Sequence, residues 1–127
     1  MISIVNYHKR FNAGTINEVY ALRGINLNVN PGDFITIIGT NGSGKSTLMH
    51  LLGCLDIPTE GVFRLGGDDA TALSDRLLSR VRNRRIGFVF QQFNLLNDLT
   101  VLENIALAMV YSGHDRRARL ARASEYA

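Results

Sequence analysis

Residues 39–47 read GTNGSGKST, and this segment constrains the fold of the chain more than any other. Gly39 and Gly44 are separated by four residues and are followed by Lys45 and Ser46, which is the pattern of a phosphate-binding loop. Such a loop requires a strand before it and a helix after it. The apolar run FITII before the motif has the character of a strand, and STLMHLLGCL after it has apolar residues at helical spacing. We therefore predict a strand, the loop and a helix in succession, as in an α/β core.

The chemistry of phosphate binding explains these residue types. Several backbone amides must meet the phosphate oxygens together, and glycines give the backbone the necessary angles without obstructing the ligand. The helix N-terminus adds unpaired amides and a dipole that favours negative charge. We expect Lys45 to reach the β- and γ-phosphates and Ser46 to ligate Mg²⁺. The expected nucleotide-binding residues are Gly39, Thr40, Asn41, Gly42, Ser43, Gly44, Lys45, Ser46 and Thr47.

Composition limits the class of protein. The chain has 127 residues, 46% of them hydrophobic and 20% charged, as in one soluble globular unit. It contains no run of ~18 apolar residues that would span a membrane and no secretory signal at its start, so we expect a cytoplasmic protein. The single cysteine, Cys54, excludes an internal disulfide and is expected to be buried. A net charge of +3 suits a nucleotide, a nucleic acid or an anionic lipid.

Two kinds of strand are predicted. ISIVNY is predicted to be the first strand of the chain. Ile25, Leu27 and Val29 alternate with asparagines before the turn at residues 31–33, which is the pattern of a half-exposed strand and favours an antiparallel hairpin. FITII and IGFVF are continuously apolar, which is typical of strands covered on both faces.

Helices are predicted from their boundary residues. Ser74 is a candidate N-cap for a helix reaching Arg82, and Thr100 with Glu103 forms a capping box before VLENIALAMVY. Gly113 is expected to end that helix, and residues 115–127 favour another one.

Two longer segments carry a family resemblance. RIGFVFQQFNLLNDLTVLENI, residues 85–105, resembles the Q-loop segment of an ATP-binding-cassette (ABC) ATPase. ALRGINLNVNPGDFITIIGTNGSGKSTLMHLLGCLDIPTEG is similar to the opening of the same family, most of all to its lipoprotein-releasing and macrolide-exporter branch. The resemblance implies an ATPase subunit that uses ATP and Mg²⁺ to drive transport at the cytoplasmic face of the cell membrane. It implies two partners, transmembrane permease subunits and a second ATPase subunit.

The resemblance assigns roles to two further residues. Gln91 matches the Q-loop glutamine, which touches Mg²⁺ and the attacking water, although a glutamine that caps a strand end is the alternative. Phe11 matches the aromatic residue that stacks on adenine; the alternatives are that Phe11 is a core residue and that Tyr20 stacks instead. With Lys45, Gln91 is the expected catalytic residue, and with Ser46 it is the expected metal ligand.

The resemblance also predicts three regions. Residues 1–33 would be an antiparallel β part, residues 34–92 a phosphate-loop core and residues 93–127 the start of a helical subdomain. Phe93, Leu95 and Leu96 are either a patch that docks on a membrane subunit or packing beneath the helices.

Several family motifs have no counterpart among these residues. LGGDD and YSGHD do not match the LSGGQ signature, Asp56 lies within the helix that follows the loop, and His114 comes too early for the switch histidine. No residue can be assigned as catalytic base. We hypothesise the N-terminal part of a longer ATPase, which alone binds nucleotide weakly and hydrolyses almost none, and which exposes apolar edges that favour aggregation.

Three other functions were compared with the motifs, and only the first agrees with them. A regulatory module that binds ATP without turnover is compatible with the motifs present. A basic nucleic-acid-binding domain is suggested by the arginines of residues 76–85 and 116–122, but no aromatic residues lie between them, so we expect no nucleic-acid partner. A small phosphate-loop kinase or GTPase would need an acidic metal ligand on a strand, which the sequence lacks.

Overall fold

The computed structural model describes residues 1–127, which divide into two compact units, Met1–Leu78 and Ser79–Ala127. Short 3-10 turns cover Ala70–Ala72 and Val110–Ser112. No helix combines the length and apolar character needed to cross a bilayer. The strands are β1 (Ile2–Phe11), β2 (Val19–Val29), β3 (Glu60–Leu65) and β4 (Asp68–Asp69), and the helices are α1 (Lys45–Leu52), α2 (Asp75–Arg85), α3 (Val101–Leu107) and α4 (Arg116–Ala123).

The four strands form one antiparallel sheet in the order β2-β1-β3-β4. The predicted first strand and the alternation in the second are confirmed: β1 pairs antiparallel with β2, and Ile25, Leu27 and Val29 are half-buried while the asparagines between them are exposed. The connection between the two strands is at residues 12–18, whereas the turn at residues 31–33 leads to a segment that pairs with no strand. The sheet also includes β3, which comes from outside residues 1–33 and pairs with the other edge of β1. β1 is therefore the strand on which the first unit is assembled.

β1 is irregular along its second half. Its register shifts between Ile4 and Tyr7, between Tyr7 and Lys9, and between Lys9 and Arg10, so the strand bulges away from regular pairing. Asn6 adopts a left-handed backbone conformation with φ of 49°, and its amide donates to the side-chain oxygen of Asn26 at 2.9 Å. The bulges redirect the last side chains of β1, including the predicted base-stacking residue Phe11.

The core of the first unit lies between the sheet, α1 and the start of α2. Tyr7 and Phe63 are buried with ring centroids 6.2 Å apart. Burial raises the pKa of the Tyr7 phenol, and its electrostatic interactions with Cys54 and Asp56 raise it further, so the phenol stays neutral. The prediction that Cys54 is buried is confirmed. The other buried hydrophobic residues of this unit are Ile4, Leu22, Leu51, Ala70 and Leu78.

The prediction that FITII and IGFVF are strands covered on both faces is wrong in this structure. Neither segment pairs with any of the four strands. Phe34 is 92% exposed and Val89 is fully exposed. An apolar, β-branched composition favours extended backbone, but a strand also needs a neighbouring strand to satisfy its amides and carbonyls. Residues 34–38 and 86–90 have the apolar composition of a strand but no neighbouring strand to pair with.

In the second unit, the predicted start of α3 and the predicted helix after residue 115 are confirmed, whereas the end of α3 differs. Thr100 and Glu103 form the capping box at the start of α3, and Asp115 caps α4 by accepting from the Ala118 amide. α3 ends at Leu107, earlier than predicted, and Gly113 ends the following 3-10 turn with φ of 85°. The backbone and side chain of Thr100, followed by Arg116, donate hydrogen bonds to Glu103 and lower the pKa of its carboxyl.

Asn104 of α3 organises the loop before that helix. Its side-chain nitrogen lies 3.1 Å from the carbonyl oxygens of Leu96, Leu99 and Thr100, and its side-chain oxygen accepts from the Leu96 amide at 2.9 Å. One amide side chain thus satisfies backbone groups at both ends of the loop.

Gly61 and Gly67 provide a matched test of the sheet. Both have left-handed φ values, 101° and 96°, but a Cβ on Gly61 would lie 2.8 Å from the carbonyl carbon of Asn6 and from the Cα of Tyr7, whereas one on Gly67 meets nothing within 4 Å. We expect Gly61→Ala to lower the free energy of unfolding by about 3 kcal/mol or more, and Gly67→Ala by about 1 kcal/mol. Urea unfolding measures both values, and equal losses would contradict the close approach of β3 to β1.

Asn104→Ala tests the loop before α3. We expect it to lower the free energy of unfolding of the second unit by about 1–3 kcal/mol, because backbone groups of the loop lose their partner. The control is Asn97→Ala, which alters an exposed asparagine of the same loop and should change stability by less than about 0.5 kcal/mol. Urea unfolding followed by the helical circular dichroism signal separates the two variants, and indistinguishable curves would refute the role of Asn104.

Candidate phosphate-binding site

The loop of residues 39–44 turns back on itself before α1. The Lys45 ammonium donates to the carbonyl oxygens of Gly39 at 2.9 Å and of Thr40 at 2.6 Å. The Ser43 amide donates to the Thr40 carbonyl at 3.3 Å. The loop therefore curves around the lysine side chain, which the motif predicts to contact phosphate.

Two glycines of the loop lie close to neighbouring atoms, one against a side chain and one against backbone. A Cβ on Gly39 would lie 2.7 Å from the Ser43 hydroxyl oxygen. Gly44 has φ of 91°, and a Cβ there would lie 2.7 Å from the Ala21 carbonyl oxygen of β2. The end of the loop is thus seated directly on the backbone of β2, at a distance that only glycine permits.

The backbone of the loop presents hydrogen-bond donors without protein acceptors. The Ser43 amide is bonded inside the loop, whereas the amides of Thr40, Asn41, Gly42 and Gly44 have no acceptor in the protein. Gly44, the N-cap of α1, has no side chain to accept from the first helical turn, and that turn contains no acidic residue. The first amides of a helix lack intrahelical partners, so they extend this row of donors. The arrangement is suited to an anion with several oxygens.

Ser46 has the position and exposure that a shared metal ion requires. It lies in the first turn of α1, is exposed, and donates no hydrogen bond to the protein through its hydroxyl. The structure contains no cluster of three or more histidine, cysteine, aspartate or glutamate residues that would hold a metal ion without a ligand. These residues fit Mg²⁺ held jointly by a hydroxyl, phosphate oxygens and water, and they do not form an all-protein cage.

The structure distinguishes the two candidate aromatic residues. Phe11, the last residue of β1, is 40% exposed, so it is not a core residue of the sheet. The ring of Tyr20 has the Arg10 guanidinium 5.5 Å and the Arg23 guanidinium 5.3 Å from its centroid, and its hydroxyl lies 3.3 Å from His8 Nδ1. Phe11 therefore has the more accessible ring for a planar ligand.

Sequence reasoning missed Lys9, which lies beside Phe11. Its ammonium is 5.0 Å from the centroid of the Phe11 ring, 2.6 Å from an Asp56 carboxylate oxygen and 2.7 Å from the Ile57 carbonyl oxygen. The side chain of Lys9 is only 12% exposed. No local pattern reveals this pair, because Lys9 and Asp56 are 47 positions apart in the chain.

Asp56 is therefore engaged by the protein itself. Its partial burial raises the pKa of the carboxyl, but hydrogen bonds from Lys9 and from the Ile57 amide, together with the charges of Lys9 and His50, outweigh this effect. The net result is a pKa below the usual 3.8 and a carboxylate that stays ionised. The prediction that Asp56 lies within the helix after the loop is wrong, because α1 ends at Leu52 and Gly53 caps it. The carboxylate is nevertheless occupied by Lys9 and the Ile57 amide, which does not suit the acidic residue of a catalytic motif.

Gln91 lies in the second unit, as an exposed residue directly after the segment 86–90. Its place in a common site with the loop stays a prediction, as do its metal and catalytic roles.

The three residues of the predicted apolar patch, Phe93, Leu95 and Leu96, have different surroundings in the structure. Leu95 and Leu96 line an open apolar pocket of about 380 Å³ with Leu99, Val101 and Ile105, whereas Phe93 is outside its lining and 92% exposed.

Sequence comparisons place residues 22–126 in a match to the family model described as ABC transporter. An ABC transporter ATP-binding protein of Thermotoga maritima is 47% identical over 98% of this chain and 53% of its own length. The macrolide export ATP-binding/permease protein MacB of Mannheimia succiniciproducens is 44% identical over 98% of this chain and 19% of its own length. The chain thus spans about half of the first relative and less of the second.

Structure comparison gives the same result. An ATP-binding cassette known from Methanocaldococcus jannaschii, solved as a dimer in a post-hydrolysis state with ADP and phosphate, superposes with a TM-score of 0.85 and 41% identity. The match covers 98% of this chain and 55% of the cassette. The predicted fold class, a phosphate-loop α/β fold with an antiparallel β part and the start of a helical part, is confirmed by this similarity.

The Lys9 and Asp56 pair makes a pH-dependent contribution to stability. Because the folded-state pKa of Asp56 lies below 3.8, the contribution is present above that pH and is lost as the pH falls through the folded-state value. We expect under about 1 kcal/mol, since the carboxylate side chain is 36% exposed. Urea unfolding at pH 6 and pH 3 should show a smaller loss on acidification for Asp56→Asn than for the unaltered chain, and an equal loss would argue against the pair.

Proposed function

The chain belongs to the ABC transporter family of ATP-binding proteins, and on that premise we propose that it binds Mg-ATP through residues 39–47. The observation that carries the proposal is the set of unbonded amides at residues 40, 41, 42 and 44, which leads into the N-terminus of α1. A polyphosphate chain has enough oxygens to accept from these donors. The loop shape depends on Gly44, whose replacement would clash with the backbone of β2.

Each side chain of the loop receives a role from its position. Lys45 already points back over the loop, to the carbonyls of Gly39 and Thr40, and would exchange these neutral acceptors for the charged β- and γ-phosphates. Thr47 adds a hydroxyl near the α-phosphate. Phe11 would stack on adenine through its exposed ring face.

Ser46 and Gln91 are the residues we assign to Mg²⁺. When bound, the ion neutralises charge on the phosphates. Ser46 offers an exposed hydroxyl in the first turn of α1. Like this hydroxyl, the amide oxygen of Gln91 is a hard oxygen ligand of the kind that Mg²⁺ binds. In addition, Gln91 would orient water near the terminal phosphate.

We extend the proposal to transport by similarity. Relatives named as macrolide export ATP-binding/permease proteins combine both functions in one chain, and the solved cassette is a dimer. We propose that the protein acts at the cytoplasmic face of the cell membrane, with transmembrane permease subunits and a second ATPase subunit as its partners. Besides the orienting amide of Gln91, hydrolysis needs a catalytic base for the attacking water, and no carboxylate of residues 1–127 is assigned to that role. We therefore assign turnover to the assembled transporter.

Calorimetric titration tests nucleotide binding. We expect Mg-ATP to bind the chain, and Lys45→Ala to weaken binding by about tenfold or more, because a charge-assisted contact to phosphate is lost. Lys45→Ala should alter the unfolding midpoint little, since the lysine contacts two exposed carbonyls of its own loop. Equal affinity for the two proteins, or no binding by the unaltered chain, would refute the proposal.

A further inference from the structure

Lys9 occupies an unusual place between an aromatic ring and an ion-pair partner. Its ammonium group carries three donors, and three neighbours account for them: the Asp56 carboxylate, the Ile57 carbonyl and the face of the Phe11 ring. The side chain is largely buried by these contacts. A lysine that served solubility alone would extend into water, so this arrangement requires another explanation.

The contact with Phe11 restricts a ring that is otherwise at the surface. Phe11 ends β1 and is exposed, and an exposed phenylalanine without a neighbour samples several rotamers. An ammonium over one face of a ring attracts it electrostatically. The same contact reserves that face for Lys9 and leaves the opposite face for a planar ligand.

The other two contacts tie the ring to the segment that follows α1. Asp56 and Ile57 come four and five residues after Leu52, the last residue of α1, and α1 begins at the phosphate loop. One lysine thus connects the proposed base-stacking ring to the helix whose N-terminus faces the proposed phosphates. A nucleotide has a base and a phosphate chain at a limited separation, so this connection acts on the geometry that a nucleotide requires.

Other contacts hold the backbone of β1 without Lys9. The Arg10 amide donates to the Thr59 hydroxyl at 2.9 Å, the Thr59 amide donates to the His8 carbonyl at 2.9 Å, and Arg10 forms an ion pair with Glu60. The end of the strand should therefore stay in place when Lys9 is changed. What Lys9 adds is the orientation of the ring.

We propose that Lys9 is a positioning residue, which, anchored by Asp56, holds the Phe11 ring with one face presented to the base of a bound nucleotide. The inference rests on the proposed binding of ATP and goes beyond it, because it adds a residue that contacts neither base nor phosphate. Its effect belongs to the recognition of the base alone. A ligand with phosphates and no base should not sense it.

The test compares Mg-ATP with inorganic tripolyphosphate plus Mg²⁺ by calorimetric titration of the whole chain. We expect Lys9→Met, which keeps the length and removes the charge, to weaken ATP binding by about fivefold and to leave tripolyphosphate binding unchanged. Lys9→Arg should restore most of the ATP affinity, since a guanidinium can contact both the ring and the carboxylate. In a chain that carries Phe11→Ala, adding Lys9→Met should have no further effect on ATP.

Three results would overturn the inference. The first is an equal loss of ATP and tripolyphosphate affinity in Lys9→Met, which would indicate a general structural or electrostatic effect. The second is a Lys9→Met effect that persists with Phe11→Ala. The third is unchanged ATP affinity in a Lys9→Met chain that still binds ATP, which would leave nucleotide binding standing. If the unaltered chain binds neither ligand, the proposed function fails and this inference fails with it.

Discussion

Close approach of backbone to backbone at two glycines determines the arrangement of the first unit. At Gly61, β3 comes against the bulged part of β1, near Asn6 and Tyr7; at Gly44, the end of the phosphate loop rests on Ala21 of β2. β1 pairs with both strands, so the two contacts fix the sheet and the loop with respect to one strand. Lys9 and Phe11 follow the first bulges of β1, and Lys9 contacts both the Phe11 ring and the residues after α1.

The candidate site divides its work between backbone and side chains. The phosphate side is made mainly of amides whose positions depend on Gly39, Gly42 and Gly44, and few side chains take part. The proposed base side consists of side chains, with Lys9 beside the Phe11 ring and with Arg10 and Arg23 beside the Tyr20 ring. Backbone amides read charge and shape irrespective of what is attached to the phosphates. In the proposed site, discrimination between nucleotides would therefore come from the Phe11 ring and its neighbours.

Local sequence patterns predicted local structure well. The helix after the loop motif, the alternation before residue 31 and the pair Thr100 and Glu103 each depend on residues a few positions apart, and all three have the expected structure. Patterns failed where structure depends on distant partners. FITII and IGFVF have the composition of strands but no strand beside them, and the contact of Lys9 with Asp56 joins residues 47 positions apart. Composition reports the tendency of a segment, whereas pairing depends on the rest of the chain.

The order of strands in the sheet has a consequence for folding. β1 can pair with β2 through a short turn, but its pairing with β3 waits until the intervening residues 30–59 are brought round. Closing a loop of roughly thirty residues has an entropic cost, which the contacts of β3 must offset. The phosphate loop and α1 lie within this closed stretch. A ligand that binds the phosphate loop only after β3 has paired with β1 would therefore stabilise the sheet. Binding of such a ligand and pairing of β3 would be thermodynamically linked.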